Sequence, residues 1–430
     1  MTPESPLRSR LWLLVSLYIC QGLPTGVFTQ ALPALLRRYD VPLTVIGLSG
    51  MLAAPWALKF LWAPLVERHF SRRVGQRRSW ILPMQLAALL ALLAIAAFDP
   101  HRLANTAGIA QFFVLMFLVN LVAATQDIAT DGLAVRLLAF HERGLGNGVQ
   151  VAGFRLGLII GGGLLLFLIG TWEWRTAFLL LAVLLVLLSL PVLLYREPPP
   201  LHARQAQTVP YVQIFTSFFS RPGLRGWLLV LATYKIGESL GAAMVKPMLV
   251  DMGLDLRQIG LLVSVVGSLA ALSGALLGGA LTTHLGRRTA LLGFGALQAV
   301  SVTLYALLPL WHQQTGVLPL PGVVALNALE HFASGMAMAA MLTAVMDLAR
   351  AEHAAADFTV QVSCLSIFGG GASLLAGALA DALGFTGYFL VSGGLALVLL
   401  WPAAVYCRHL PWLLPDGLPV AGDSGENARP

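Results

Sequence analysis

The chain has 430 residues, 57% of them hydrophobic and only 11% charged, with a mean hydropathy of +0.79. A soluble domain carries about 25% charged residues, so this composition excludes an ordinary cytosolic enzyme, a nucleic-acid-binding module and a disordered chain. The net charge of +7 comes mostly from arginines between apolar runs, which is a membrane-topology pattern and not a nucleic-acid footprint.

Crossing the hydrocarbon core takes about 20 mostly apolar residues. Twelve runs satisfy this: 11–35, 43–65, 80–98, 109–138, 147–169, 174–195, 223–250, 258–283, 289–311, 321–349, 357–381 and 385–407. They are too long and too continuously apolar for barrel strands, so the predicted class is an all-α membrane protein with 12 transmembrane helices. The first run continues past Pro24 with no A-x-A-like site, so it reads as a span and not as a cleaved signal.

Twelve spans put both termini on one side. If that side is cytoplasmic, Arg8, Arg10, Arg68, Arg72, Arg73, Arg77, Arg78, Arg143, Arg196, Arg204, Arg221, Arg225, Arg287, Arg288, Arg350 and Arg408 fall on inner loops. Arg37, Arg38, Arg102, Arg175 and Arg257 fall outside, an inner excess of about three to one. Residues 196–222, with Pro198, Pro199, Pro200 and Pro210, read as a cytoplasmic linker between six-helix halves at 1–195 and 223–407, followed by a cytoplasmic tail at 408–430. Within the linker, 211–219 is amphipathic and suited to lie along the inner surface. Cys20, Cys364 and Cys407 lie inside apolar runs and fit no metal pattern, and no GxxxxGK[ST] occurs, so no cofactor, metal or ATPase is expected.

The halves repeat. Gly75, Arg77 and Arg78 follow the second run, and Gly286, Arg287 and Arg288 follow the eighth, at an offset of about 210 residues. Gln150 answers to Gln361, and Gly161–Gly163 to Gly369–Gly371, at similar offsets. An offset near half the chain marks parallel repeats about an axis along the membrane normal, as in secondary transporters whose halves rock about a central site. The two basic loops are then either gates that pair with acidic helix ends or topology anchors.

Ionisable side chains at membrane depth are costly, roughly 2.5–3.5 kcal/mol each on insertion scales, and persist when paired or facing a water-filled cavity. All three lysines, Lys59, Lys235 and Lys246, fall in apolar runs, whereas every loop cation is arginine. Asp127 and Asp131 stand i, i+4 on one face of the fourth run, next to Gln126, and Arg155 lies at similar depth in the fifth. Asp127, Asp131, Arg155 and Lys59 are expected to cluster, either as a neutralised lock or as a substrate- and proton-linked site. Lys235 and Glu238 in the seventh run, and Glu330 and His331 in the tenth, are the matching candidates of the second half, with His331 either a relay or a packing residue. Lys246 suits snorkelling to the membrane surface, and Asp347 and Asp381 read as helix-end residues. Tyr18, Gln21, Gln30, Trp56, Phe60, Trp62, Phe154 and Tyr234 are the nearby polar and aromatic side chains. Of these Tyr18, Gln21, Gln30 and Trp56 are candidate cavity walls, and a cationic, aromatic cavity suits a bulky organic anion.

The twelve runs, the central linker and the two Gly-Arg loops resemble the major facilitator superfamily, over nearly the whole chain. The resemblance sharpens at Tyr18–Thr25 (YICQGLPT), Pro55–Arg68 (PWALKFLWAPLVER), Gln76–Trp80 (QRRSW), Ala124–Leu138 (ATQDIATDGLAVRLL) and Glu142–Gly163 (ERGLGNGVQVAGFRLGLIIGGG). These strings look like the branch that holds the muropeptide permease AmpG and the RhtX/FptX siderophore importers. The continuation Thr130–Val135 (TDGLAV) looks more like the siderophore importers. The resemblance implies a monomeric, proton-coupled importer in the bacterial inner membrane, with a ferric siderophore as the expected substrate and a muropeptide, or an exported drug or metabolite, as alternatives. Tyr18, Gln21, Trp56, Lys59, Gln126, Arg155, Tyr234 and Lys235 would contact the ligand. Asp127, Asp131, Glu238, Glu330 and His331 would serve proton or ion-pair switching.

Overall fold

The computed structural model describes residues 6–32, 54–198, 210–221, 223–254 and 265–407, with single residues 35, 36, 52, 258, 259 and 263. Calls that fall on the remaining residues, including Arg37, Arg38, Arg204, Arg257, Arg408 and the tail 408–430, lie outside them. The described chain is helical. In order it forms α1 (Leu7–Gly26), α2 (Ala54–Leu58), α3 (Ala63–Arg68), α4 (Arg78–Ala97), α5 (Thr106–Leu137), α6 (Arg143–Ile159), α7 (Leu165–Thr171) and α8 (Trp174–Leu194). After these come α9 (Tyr211–Phe219), α10 (Leu224–Tyr234), α11 (Ile236–Asp251), α12 (Val266–Leu285), α13 (Arg287–Leu304), α14 (Leu307–Thr315), α15 (Leu320–Leu348), α16 (Ala354–Val398) and α17 (Trp401–Tyr406).

Ten helical stretches among the described residues are long and apolar enough to cross a membrane. One of them, Ala351–Tyr406, would be about 84 Å long if straight, far beyond a hydrocarbon core of about 30 Å. Gly384 breaks it with φ 64°, at the boundary expected between the eleventh and twelfth runs. The second expected run, described in part, is no single helix: α2 and α3 are separated by a tight turn at Lys59–Leu61. The seventh is interrupted at Lys235, between α10 and α11. Proline is tolerated inside α1, α4, α8 and α11 because neighbouring helices enclose the freed backbone groups.

Helix contact in a membrane rests on close packing, which small residues permit. Two glycine seams organise the bundle. Gly22 and Gly26 of α1 face Gly157 of α6 and Gly161 just beyond it, where a methyl on Gly22 would lie 2.8 Å from the Gly157 Cα. Gly144 and Gly148 of α6 face Gly279 and Ala275 of α12, and a methyl on Gly148 would lie 2.6 Å from the Ala275 carbonyl oxygen. The first seam knits the N-terminal helices together; the second joins them to the C-terminal set. In the glycine triplets, Gly161 meets Leu23 and Gly369 meets Ser239, while Gly163, Gly370 and Gly371 face open space. The amphipathic α9 buries Ile214 and Phe218, and Ser217 and the Ile214 carbonyl receive hydrogen bonds from Arg350.

Candidate functional site

A cavity of about 370 Å³ lies where the two sets of helices meet. Its N-terminal wall holds Tyr18 from α1, Trp56 and Lys59 from the broken second run, Asp127 and Asp131 from α5, and Gln150 and Arg155 from α6, beside the apolar Val151, Phe154 and Leu158. Lys59 is only 3% exposed and forms a direct ion pair with Asp127, and its ammonium lies 5.5 Å from the Trp56 ring centre. Lys59 stands at the start of the tight turn Lys59–Leu61 that breaks the second run. Asp131, 1% exposed, accepts hydrogen bonds from the Tyr18 hydroxyl at 3.0 Å and the Gln150 amide at 3.1 Å. Both donors are neutral and both meet Oδ1. Arg155 is half-buried and makes no ion pair among the described residues. Trp56 is fixed by its indole hydrogen bond to Asn120 (3.1 Å) and an edge contact with Phe154.

The C-terminal wall differs in kind. Besides Lys235 and Ser334 it offers Met338, Leu342, Phe358, Val362 and Ser366. Met338, Leu342, Val362 and Ser366 stand about 210 residues after Asp127, Asp131, Val151 and Arg155. The repeat therefore supplies equivalent positions: Asp127, Asp131 and Arg155 are charged where Met338, Leu342 and Ser366 are not, while Val151 and Val362 are the same residue. Lys235 pairs with Glu238 at 2.6 Å, and Glu238 accepts a further hydrogen bond from Ser334 at 2.8 Å.

Several expected wall residues lie elsewhere. Tyr234 turns from the cavity and donates its hydroxyl to the Leu291 carbonyl of α13 at 2.9 Å. Gln126, about 100° around α5 from Asp127, is buried outside the lining, as is Gln21. Glu330 is buried against His331 (2.8 Å), whose ring packs on Gly267 of α12, while Asn327, one turn earlier, bonds the Val263 carbonyl. Both Glu330 and His331 lie outside the cavity lining.

One end of the bundle is closed by charges. Asp347, at the end of α15, receives Arg143 of α6 at 2.9 Å and Arg287 of α13 at 2.9 Å. Arg287 also donates to the Phe140 carbonyl at 2.6 Å and lies 4.2 Å over that ring. Glu67, wholly buried, pairs with Arg77 at 2.9 Å and accepts the Ala355 amide at 2.6 Å, capping the first turn of α16. These bonds tie the N-terminal helices to the C-terminal ones. Gly75 and Gly286 make the two basic loops possible: their φ angles of 111° and 79° lie where residues with a Cβ are strained. Arg78 bonds the Val192 and Leu193 carbonyls within its own half. Arg288 is half-buried, with a buried Nε that no acceptor reaches.

Residues the sequence reading passed over carry this closure: Glu67, Arg143 and above all Asp347, which reads as a bland helix end. Outside it, Arg350 chelates Asp357 at 2.7 and 2.8 Å, and Arg10 chelates Glu142 at 2.6 and 2.7 Å. Glu142 and Asp357 thus occupy related places near the starts of α6 and α16, a signal visible only once both helices are placed.

A family model for the Major Facilitator Superfamily matches residues 14–311 and 234–419. The chain belongs to the Major Facilitator Superfamily. It is 30% identical to the anhydromuropeptide permease of Escherichia coli K12 over 388 residues, 88% of this chain and 76% of that one. It is 34% identical to an uncharacterized protein of Haemophilus influenzae over 289 residues, 65% of this chain and 66% of that one. Among solved structures, the superfamily transporter FucP in its outward conformation superposes with a TM-score of 0.67 at 15% identity, covering 92% of this chain and 98% of FucP. The protein is a multi-pass membrane transporter of this superfamily, related to the AmpG permeases, and not an enzyme. In superfamily terms, the cavity lies between the two halves and the charge network closes one entrance to it.

Proposed function

We propose that the chain imports a muropeptide-type cell-wall fragment across the bacterial inner membrane by proton-coupled alternating access. The observation that carries this reading is the cavity between the halves, with most of its charge on the N-terminal wall and Lys235 among apolar side chains on the C-terminal wall, in a chain related over 88% of its length to an anhydromuropeptide permease. A muropeptide joins sugar, carboxylate and short aliphatic peptide, and each has a counterpart. Arg155 and Lys235 suit the carboxylates, Trp56 suits a sugar face, and Met338, Leu342 and Phe358 suit the aliphatic part. The ferric siderophore expected from TDGLAV has no support from the relatives found, and the muropeptide takes its place.

In this reading the arginine-rich end is cytoplasmic and both termini lie there, so the structure is closed inward. Ligand carboxylate drawn to Arg155 and Lys235 competes with Glu238 for Lys235. Protonation of Asp131 or Asp127 alters the polar wall from which the halves separate, and the Asp347 and Glu67 bonds then break to open the inner side. Glu330 and His331 serve as an acid–imidazole pair inside the C-terminal half. The 1–195 and 223–407 halves rock about a monomer's own cavity, joined by the 196–222 linker.

The test is uptake of radiolabelled anhydromuropeptide by cells lacking their own permease, with and without this gene, and with and without a protonophore. Gene-dependent, protonophore-sensitive uptake is expected. No uptake of the muropeptide, together with gene-dependent uptake of ferric iron from a siderophore panel, would overturn the assignment.

A further inference from the structure

A roomier pocket than the central cavity lies elsewhere on the molecule. A groove of about 870 Å³ runs down the outside of the N-terminal half between α4 and α8. Its body is apolar, built from Leu82, Leu86 and Leu89 of α4 and Leu185, Val186 and Leu193 of α8. Leu86, Val186 and Leu193 are 58%, 43% and 52% exposed, so the groove faces away from the helix bundle, where the bilayer lies.

The upper limit of the groove is chemically different. His69, Ser71, Arg78, Ser79 and Trp80 line it, and Arg73 stands exposed on the same turn. The Arg78 guanidinium is held at the rim by neutral carbonyls, those of Val192 at 3.2 Å and Leu193 at 3.1 Å, and no carboxylate pairs with its side chain among the described residues. The nearest acid, Glu197, is buried and consumed by the Arg77 and Arg78 amides and by Arg136, so it does not offset the rim charge at the surface. From Arg78 to Leu89 the axis of α4 rises about 16 Å. That is close to half of a hydrocarbon core of about 30 Å, the depth of one leaflet.

We propose that the α4–α8 groove is a binding site for an anionic bilayer phospholipid, with its phosphate at Arg78 and its acyl chains along Leu82, Leu86 and Val186. A basic rim above an apolar slot one leaflet deep matches a headgroup above its chains, and basic pockets between spans on the cytoplasmic side recognise anionic headgroups. A neutral phospholipid fills the slot without using the rim. The site is separate from the transport cavity and is independent of the substrate assigned above.

The experiment is native mass spectrometry of the full-length chain in neutral detergent, titrated separately with palmitoyl-oleoyl phosphatidylglycerol and with phosphatidylcholine of the same chains. Phosphatidylglycerol should be retained at least about tenfold better. Leu86→Trp with Val186→Trp, which fills the slot from its exposed side, should remove that retention while the melting temperature in detergent stays unchanged. Arg78→Gln should bring phosphatidylglycerol down to the level of phosphatidylcholine. Equal retention of the two lipids by the wild type would overturn the anionic site, and undiminished phosphatidylglycerol binding in the filled variant would overturn its location.

Discussion

Asp347→Asn should open the closed end of the bundle. Asp347 is the shared acceptor of Arg143 and Arg287, one from each half, and its side chain is 1% exposed. Removing one member of a buried ion network costs about 3–5 kcal/mol, chiefly because the remaining charges stay desolvated. Asparagine keeps one oxygen acceptor, so about 3 kcal/mol is the expected total penalty; Arg287 shares a half with Asp347, so the part that falls on the closed state is the bond from Arg143, about 1.5 kcal/mol. A shift of that size changes the ratio of closed to open forms about tenfold. Spin labels on His141→Cys and His284→Cys would report it, since both residues line a small cleft at this end, one from each half. The measurement uses a background in which Cys20, Cys364 and Cys407 are replaced by alanine. In that background the wild-type Asp347 should give one short distance, and Asp347→Asn a distribution shifted toward longer ones. An unchanged distribution in a folded Asp347→Asn protein would refute the view that this carboxylate holds the end shut.

Three further outcomes follow from the same geometry. Gly75→Ala forces a Cβ to within 2.6 Å of the Glu197 carboxylate at φ 111°, and should cost about 1–3 kcal/mol, read as a lower melting temperature in detergent. Tyr234→Phe removes a hydroxyl bonded to the Leu291 carbonyl outside the cavity, so stability should fall by about 1 kcal/mol while the KM for uptake holds; a several-fold rise in KM would put Tyr234 back in the cavity wall. Arg155→Ala should raise KM at least about tenfold for an anionic substrate, since it removes a cavity cation that pairs with no carboxylate among the described residues, while leaving the melting temperature near wild type.

Much of the fold is readable in the chain because the bilayer leaves few solutions. An apolar run of sufficient length must be a helix, since no water is there to satisfy bare backbone groups. Hence the runs, the repeat and the superfamily resemblance lead to the observed class, and the spacing of Asp127 and Asp131 puts them on one face of α5. Lys59, Asp127, Asp131 and Arg155 do line one cavity. The limits of such reading show at Tyr234 and Lys235. They are neighbours in sequence, yet the interruption between α10 and α11 sends one to α13 and the other to the cavity. Glu330 lies in a span that also lines the cavity, through Ser334 and Met338, but its own position turns it elsewhere.

The sequence by itself determined the solvent this protein lives in, its helical class, its twofold plan and the residues too costly to bury without purpose. These depend on local hydrophobicity, on spacing along one helix and, for the twofold plan, on similar strings recurring about 210 residues apart. Only the tertiary structure decided which charges meet. Asp347 gains its importance from Arg143, 204 residues earlier, and Glu67 from Ala355, 288 residues later. An ion pair is a statement about distance in space. Side chains far apart in the chain carry no mark of their future neighbours until the glycine seams at Gly22–Gly157 and Gly148–Gly279 have set how closely the helices approach.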